Sequence, residues 1–532
     1  MSAMATFREI CLFFLFLAPG LLSGCGGDLP PEAPHAVTGT FSLSLSSDSI
    51  TTSPGDTRDL TVYLQSHDGF DQTVSVRCSK FAQGITLSPS TFTVSRDHPT
   101  TIQIVTTRDA INITKHLTLV GEVGDLRVSL PLDINVTYDN AGYIPEALDI
   151  PILSIDTTGK APILSREDYI GGHLSIMPNG ADASIAYDGD IQIRGRGHST
   201  WLMPKKPYRI KLNNKAALFG FPASKDWVLL ANYADKTLLR NVVAMELSSR
   251  LGMAYTPRSR SVELYLNGAY QGTYLFMESI KVAPGRVPIP SMSSTDISGE
   301  ALTGGYLMEF TLRRDEIVSF TTPQGLPVAI SSPDPPTPEQ LTYISRYVNK
   351  AEDALFSNSF TDPENGYRPY IDTASFINWY LVNEVFSNVD AYFYSSCYFY
   401  KDRNGKLFMG PAWDFDLGAG NVDYSDARYP QGWYVRRASW INRMFQDPFF
   451  AQQVKARWNA IKTTQLDTLF AFIDDHAAHL EKSQRNNFRR WPILGAYVWP
   501  NPVIPGTYQS EVDYLKSWLS QRIAWMDAQF NP

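Results

Sequence analysis

The chain has 532 residues, 43% of them apolar and 12% aromatic, and a formal net charge of −8. That length exceeds an ordinary single domain, and the apolar content suits large buried cores. The negative balance gives nucleic acid no electrostatic footprint, and the cysteines, Cys11, Cys25, Cys78 and Cys397, lack the C-x-x-C spacing of a zinc site.

Residues 1–25 read as a signal peptide rather than as fold. The apolar run from Ile10 to Leu22 is broken by Pro19 and Gly20. It is shorter than the roughly 20 residues a membrane-spanning helix needs. Small residues then lead to Cys25 in LSGC, the pattern of a bacterial lipoprotein signal in which that cysteine becomes lipidated. A plain secretory signal cleaved nearby is the alternative. The expectation is an exported chain anchored to a bacterial membrane through Cys25, in the periplasm or at the cell surface. Residues 26–40 begin with a Pro- and Gly-rich stretch and read as a linker.

From 41 to 138 the pattern becomes short and alternating, with strands predicted at 41–45, 59–64, 73–76, 91–94, 101–105, 117–120, 126–130 and 132–136. Turn signals such as SPGD at 53–56 and HDG at 67–69 separate them. About eight strands in about 100 residues predict an all-β sandwich. It is similar to the Ig-like modules of bacterial surface proteins, which serve as spacers or adhesive units.

Residues 139–147 read as a second linker, and 148–532 as an α+β domain. Strands and hairpins dominate to about 335, and helices from about 336. Within the first part, 235–251 carries a helical apolar stripe, with Asp235 as N-cap and Gly252 as the left-handed stop. Asn267-Gly268 predicts a tight hairpin turn within 262–276. The second part predicts helices at 338–357, 372–388, 447–483 and 509–529, interrupted by two short strands.

Those two strands separate Asp390 from the run GPAWDFD at 410–416, which carries Asp414 and Asp416. Three carboxylates brought to one sheet edge can hold a hard divalent cation such as Mg²⁺. In extended backbone Asp414 and Asp416 share a face, and Phe415 points the other way into the core. Upstream lies the basic, glycine-bearing IRGRGHSTW at 193–201, followed by Lys205, Lys206 and Lys211. A basic loop ahead of an acidic cluster is the layout of a nucleotide-phosphate site. Alternation in YRIKL at 208–212 puts Arg209 and Lys211 on one face. A solvated strand face, a glycine-requiring hairpin turn and turn-capping aspartates are the plainer readings. Trp201 and Trp413 read as packing residues, and His198 as a hydrogen-bonded turn histidine.

The blocks IRGRGHSTW, PKKPYRIKL (204–212), KDWVLLAN (225–232), LLRN (238–241), YLFME (274–278), GGY (304–306), LVNE (381–384), NVD (388–390) and MGPAWDFD (409–416) together resemble the CotH kinase family, named for spore coat protein H. The resemblance implies a distant protein-kinase architecture, with a sheet-rich lobe, a helical lobe and ATP between them. It implies Mg²⁺-dependent transfer of the ATP γ-phosphoryl to a protein Ser, Thr or Tyr hydroxyl. Carried over block by block, Asp390 orients the acceptor or binds metal, and Asp414 and Asp416 bind Mg²⁺. Lys211, or else Lys206, contacts phosphates, helped by Arg194 and the Gly195 to Gly197 turn. Glu278 orients that lysine, with Glu246 as rival, and Arg240 and Asn241 brace the helix. A non-catalytic surface binding or structural module on the same scaffold is the alternative function, and a different nucleotide-dependent transfer is a third.

Overall fold

The computed structural model describes residues 38–53, 55–78, 85–106, 113–136, 148–179, 186–312 and 318–532. Cys25 and both linker segments at 26–37 and 139–147 lie outside the described residues.

An N-terminal β-rich region contains β1 (Thr40–Leu45), β2 (Ser49–Thr52), β3 (Thr57–His67), β4 (Val74–Cys78), β5 (Ile85–Ser88), β6 (Thr91–Val94), β7 (Thr100–Thr106), β8 (Ile113–Val123) and β9 (Leu126–Val136). They form two sheets, ordered β1-β3-β7-β5 and β2-β9-β8-β4-β6. Leu60, Val62 and Ile104 from the first sheet meet Val76, Leu119 and Ile134 from the second in one apolar core. The strict in-out alternation of β4 and β6 is what lets short strands fill that core. The segments expected at 126–130 and 132–136 are one strand, because Pro131 sits in β9 without ending it. Strands β2 and β5 were not foreseen.

A mixed α/β region follows. Strands β10 (Ile152–Thr157), β11 (Ile170–Met177), β12 (Tyr187–Gly195), β13 (Tyr208–Ala216), β14 (Ser224–Leu230), β15 (Ser259–Leu266) and β16 (Ala269–Glu278) close a barrel in the order β10-β11-β12-β13-β14-β16-β15. Its interior is filled by Ile155, Leu174, Ile193, Ile210, Trp227 and Phe276, among others. The β15–β16 hairpin turns on Asn267 (φ 54°) and Gly268 (φ 83°), the two positive φ values that a type I′ turn demands. A second sheet, ordered β18-β19-β17-β20-β21, is built from β17 (Tyr306–Phe310), β18 (Ser319–Thr321), β19 (Pro327–Ser332), β20 (Cys397–Lys401) and β21 (Leu407–Met409).

The helices are α1 (Ser199–Leu202), α2 (Arg240–Arg250), α3 (Pro338–Phe356), α4 (Thr373–Phe386), α5 (Ser439–Met444), α6 (Pro448–Ile461), α7 (Leu469–His479), α8 (Glu481–Arg490) and α9 (Tyr508–Phe530). A capping box between Thr337 and Gln340 starts α3, and Asp372 caps α4. The helix expected from 235 begins at Arg240, because the Asp235 carboxylate turns back to accept from Arg240 N–H. Its stop at Gly252 (φ 69°) is as expected. The long helix expected at 447–483 is broken by a π turn at Lys462–Leu466 and again near Leu480. Among the described residues no helix is long and apolar enough to cross a membrane.

Candidate active site

A cleft of ≈ 790 Å³ opens where the barrel meets α2, β17 and the segment around 390–417. The barrel supplies cations. Arg194 ends β12 and Arg209 begins β13, and the two stand opposite each other in register. Both line the cleft with Arg196. Neither Arg194 Nε nor Arg209 Nε has a protein partner among the described residues, though both atoms are buried. Arg196 sits 5.7 Å over the Trp413 ring. Burial draws its guanidinium below the usual range, and the nearby Asp414 opposes that shift.

The glycines of this turn serve packing. A Cβ on Gly195 would lie 2.4 Å from the Trp201 ring, and Gly197 has φ +81°. Two backbone donors of this turn are already used, because Gly195 N–H donates to Ser165 O and Arg196 N–H to Pro207 O.

The facing wall supplies carboxylates. Asn388 ends the α4 turn, and its Oδ1 accepts from Asp390 N–H at 3.3 Å. Asp390 is buried in a 3₁₀ turn (Val389–Ala391) and accepts from Ser395 Oγ at 3.2 Å. Asp414 has φ 67°, so the run at 414–416 is a left-handed kink and not the extended strand expected. The kink still leaves Asp414 and Asp416 lining the cleft and Phe415 fully buried, edge-on to Phe386.

Four clamps hold that kink, one of them Asn421 Nδ2 donating to Asp416 O at 2.7 Å. Phe415 N–H donates to Asn241 Oδ1 at 2.9 Å, Asn388 Nδ2 donates to Asp414 O at 3.2 Å, and Arg240 Nε donates to Gly418 O at 3.1 Å. Arg240 is itself paired with buried Asp235 at 2.6 Å. Burial pushes the Asp416 carboxyl well above the usual range, and the Asp414 and Asp390 carboxylates push it further.

The structure thus brings together Arg194, Gly195, Gly197, Asp390, Asp414 and Asp416. The remaining expected residues stand elsewhere. Lys211 shares Arg209's face as alternation requires, but it is exposed and lies outside the cleft lining. Lys206 Nζ donates to Trp201 O at 2.6 Å and braces the glycine turn from below. Neighbouring Lys205 is buried against β16 and α8, and burial lowers it to about 7. Among the described residues Glu278 meets arginines and a tyrosine in place of the expected lysine. It is wholly buried and accepts from Arg258 Nη1 at 3.0 Å, Arg258 N–H at 2.9 Å and Tyr255 Oη at 3.2 Å. Glu246 pairs with Arg250 at 2.7 Å.

Sequence reasoning missed Arg196, Glu309 and Tyr398 as cleft residues and set Lys211 ahead of Arg209. Arg209 was legible as Lys211's face-mate. Glu309 and Tyr398 are register partners on β17 and β20, a pairing that no local pattern reveals.

Among the described residues no group of three His, Cys, Asp or Glu is placed to hold a metal unaided. Mg²⁺ ordinarily uses one or two carboxylates, completed by water and substrate phosphate. Asp414 and Asp416 fit that donor set, and the unfavourable crowding of like charge around Asp416 is what a cation would relieve.

No curated protein matches the sequence. Solved structures similar to parts of it include domains 4 and 5 of the S-layer protein SbsC, at 15% identity and TM-score 0.14 over 18% of this chain. The chain spans about half of that structure, 51%. The E. coli chaperone DraB matches at 13% identity and TM-score 0.17, over 35% of this chain and 95% of its own. The D0-D1 domain of Intimin matches at 9% identity and TM-score 0.15, over 33% and 92%. Scores this low carry no argument about this chain. The family model described as CotH kinase protein matches residues 191–526, more than half of the sequence and the whole of the cleft wall from β12 to the 414–416 kink. The chain belongs to the CotH kinase protein family.

Proposed function

We propose that this chain is an ATP-dependent protein kinase that transfers the γ-phosphoryl to a Ser, Thr or Tyr hydroxyl. The observation that carries the reading is the cleft itself, with Arg166, Arg194, Arg196 and Arg209 on the barrel side and Asp390, Asp414 and Asp416 on the other. The barrel serves as the sheet-rich lobe and the helices around α4 as the second lobe.

Phosphoryl transfer relies on positioning and charge stabilisation more than on covalent chemistry by the protein. Arg209 and Arg196 bind phosphate oxygens, taking the place first expected of Lys211. Both arginines line the cleft, and no described residue accepts from Arg209 Nε. Mg²⁺, held by Asp414 and Asp416, would offset phosphate charge that the aspartates otherwise repel. Asp390 orients the acceptor hydroxyl and takes its proton. The P–O bond to the acceptor forms as the bond to the ADP leaving group breaks. Asn241 and Arg240 keep the kink in place.

The test is incubation of the protein with γ-labelled ATP and Mg²⁺. Label should appear on protein hydroxyls and should fall by about 10²–10⁴-fold in Asp390→Asn, the span expected for loss of a positioned proton acceptor. Undiminished labelling in that variant removes Asp390 from the reaction. No labelling and no ATP binding by the wild type leaves the surface binding module as the function.

The same proposal places the protein outside the cytoplasm, anchored by lipid on Cys25 with the N-terminal sheets as an Ig-like spacer. It rests on LSGC at 22–25. Cys25→Ser should move the protein to the soluble exported fraction, and unchanged membrane association would refute the anchor.

A further inference from the structure

A second cavity, ≈ 570 Å³, lies between α2, the 253–258 segment, the 285–288 segment and α7. Met245, Met253 and Phe472 give it an apolar floor. Thioether side chains adapt to the shape of what they cover.

One cation on its wall has an open edge. Arg258 uses Nη1 for both Glu278 oxygens, at 3.0 and 3.1 Å, and for Gly285 O at 3.1 Å. No described residue bonds its Nε or Nη2, and its side chain is 43% exposed. The local charge does not balance. Glu278 is shared by two guanidiniums, Arg258 and Arg286, the latter at 3.7 Å, while Asp226, which also acts on Arg286, is paired with Lys281 at 2.5 Å. Glu246, the other acid on the wall, is neutralised by Arg250. His476 stands beside Phe472, and burial lowers its pKa, so it adds little charge near neutral pH. The surplus is one positive charge beside apolar surface.

We propose that this cavity binds a single carboxylate carried on an apolar stem, with the oxyanion on the free edge of Arg258 and the stem against Met245, Met253 and Phe472. A guanidinium edge matches a carboxylate in two parallel hydrogen bonds, and a monoanion balances a surplus of one. The C-terminal carboxylate of an apolar peptide and a free aryl-alkyl acid share this chemistry. An occupant would press on elements that also wall the main cleft. Val242 and Met245 line this cavity while Asn241 lines the other, and Arg286 holds Ser279 O at 2.8 Å while Ser279 faces the cleft. The binding itself does not depend on the kinase reading, since it requires no nucleotide.

The experiment is methyl NMR of the full chain labelled at methionine, with Met245 and Met253 assigned through Met245→Leu and Met253→Leu. The probes are phenylpropionate and N-acetylphenylalanine. Their neutral counterparts are phenylpropanol and N-acetylphenylalanine amide. Both resonances should move with the acids, which should bind roughly ten-fold or more tightly than the neutral partners, the value of a hydrogen bond to a charged group. Arg258→Gln should erase that preference. Ser249→Asp, an exposed change on the same wall that leaves the Glu278 cluster intact, should weaken the acids and leave phenylpropanol unchanged. Tighter binding of N-acetylphenylalanine identifies a chain terminus as the occupant, and tighter binding of phenylpropionate a free acid. Equal binding of acid and neutral partner, or no movement of either resonance, overturns the proposal.

Discussion

The two walls of the main cleft are built by opposite means. The barrel wall takes Arg194 and Arg209 from regular strands, where alternation and register alone set them across from each other. The facing wall takes its aspartates from irregular backbone, a 3₁₀ turn at Asp390 and a left-handed residue at Asp414. Sheet hydrogen bonds stabilise the first wall whatever the side chains do. The second is held by Asn241, Asn388, Arg240 and Asn421, which direct their polar groups at its backbone. A wall of this second kind buries carboxylates beside one another, and burial first, then the neighbouring Asp414 and Asp390, raises Asp416. Breaking a clamp should therefore cost stability, whereas neutralising a barrel cation should cost binding alone.

The largest expected effect is on the clamped wall. Arg240 and Asp235 are both essentially inaccessible, at 1% and 0% exposure. Arg240→Ala strands a buried carboxylate and frees Gly418 O, and should lower stability by about 3–5 kcal/mol in urea denaturation. A loss under about 1 kcal/mol would mean that the kink is held by something other than this pair.

A smaller effect is expected on the barrel wall, and it divides two neighbours on one strand. Arg209→Gln removes a cation from the cleft and should weaken ATP binding about ten-fold or more, with stability changed little. Lys211→Gln, on the same face but outside the cleft, should leave ATP affinity unchanged and stability within about 0.5 kcal/mol. Equal losses in the two variants would show that the whole strand face serves the nucleotide, and that the boundary drawn between them is wrong.

That pair also shows how far the sequence could be read. Alternation placed Arg209 and Lys211 on a common face correctly, because strand periodicity is a local property. It could not tell which end of β13 opens into the cleft. Two residues advance roughly 6.6 Å along a strand, enough to carry Lys211 away from the site. The aspartates were found by their spacing around two short strands, and those strands are β20 and β21. The kink at Asp414 was hidden, since its conformation is imposed by Asn241 from far away in the chain. Glu278 was misplaced for the same reason. Its partners Arg258 and Arg286 are set by the hairpin and the following turn, and a strand-end glutamate carries no local sign of which cation it will meet.

On the proposed reading both walls of the cleft act on one Mg²⁺-bound nucleotide. Calorimetric titration of the wild type and Asp414→Asn with ATP, with and without Mg²⁺, tests it directly. The wild type should bind ATP more tightly with Mg²⁺ than without it, and Asp414→Asn should lose that dependence while keeping the weaker metal-free binding to the arginines. Equal wild-type affinity with and without Mg²⁺, or no binding in either condition, would contradict it.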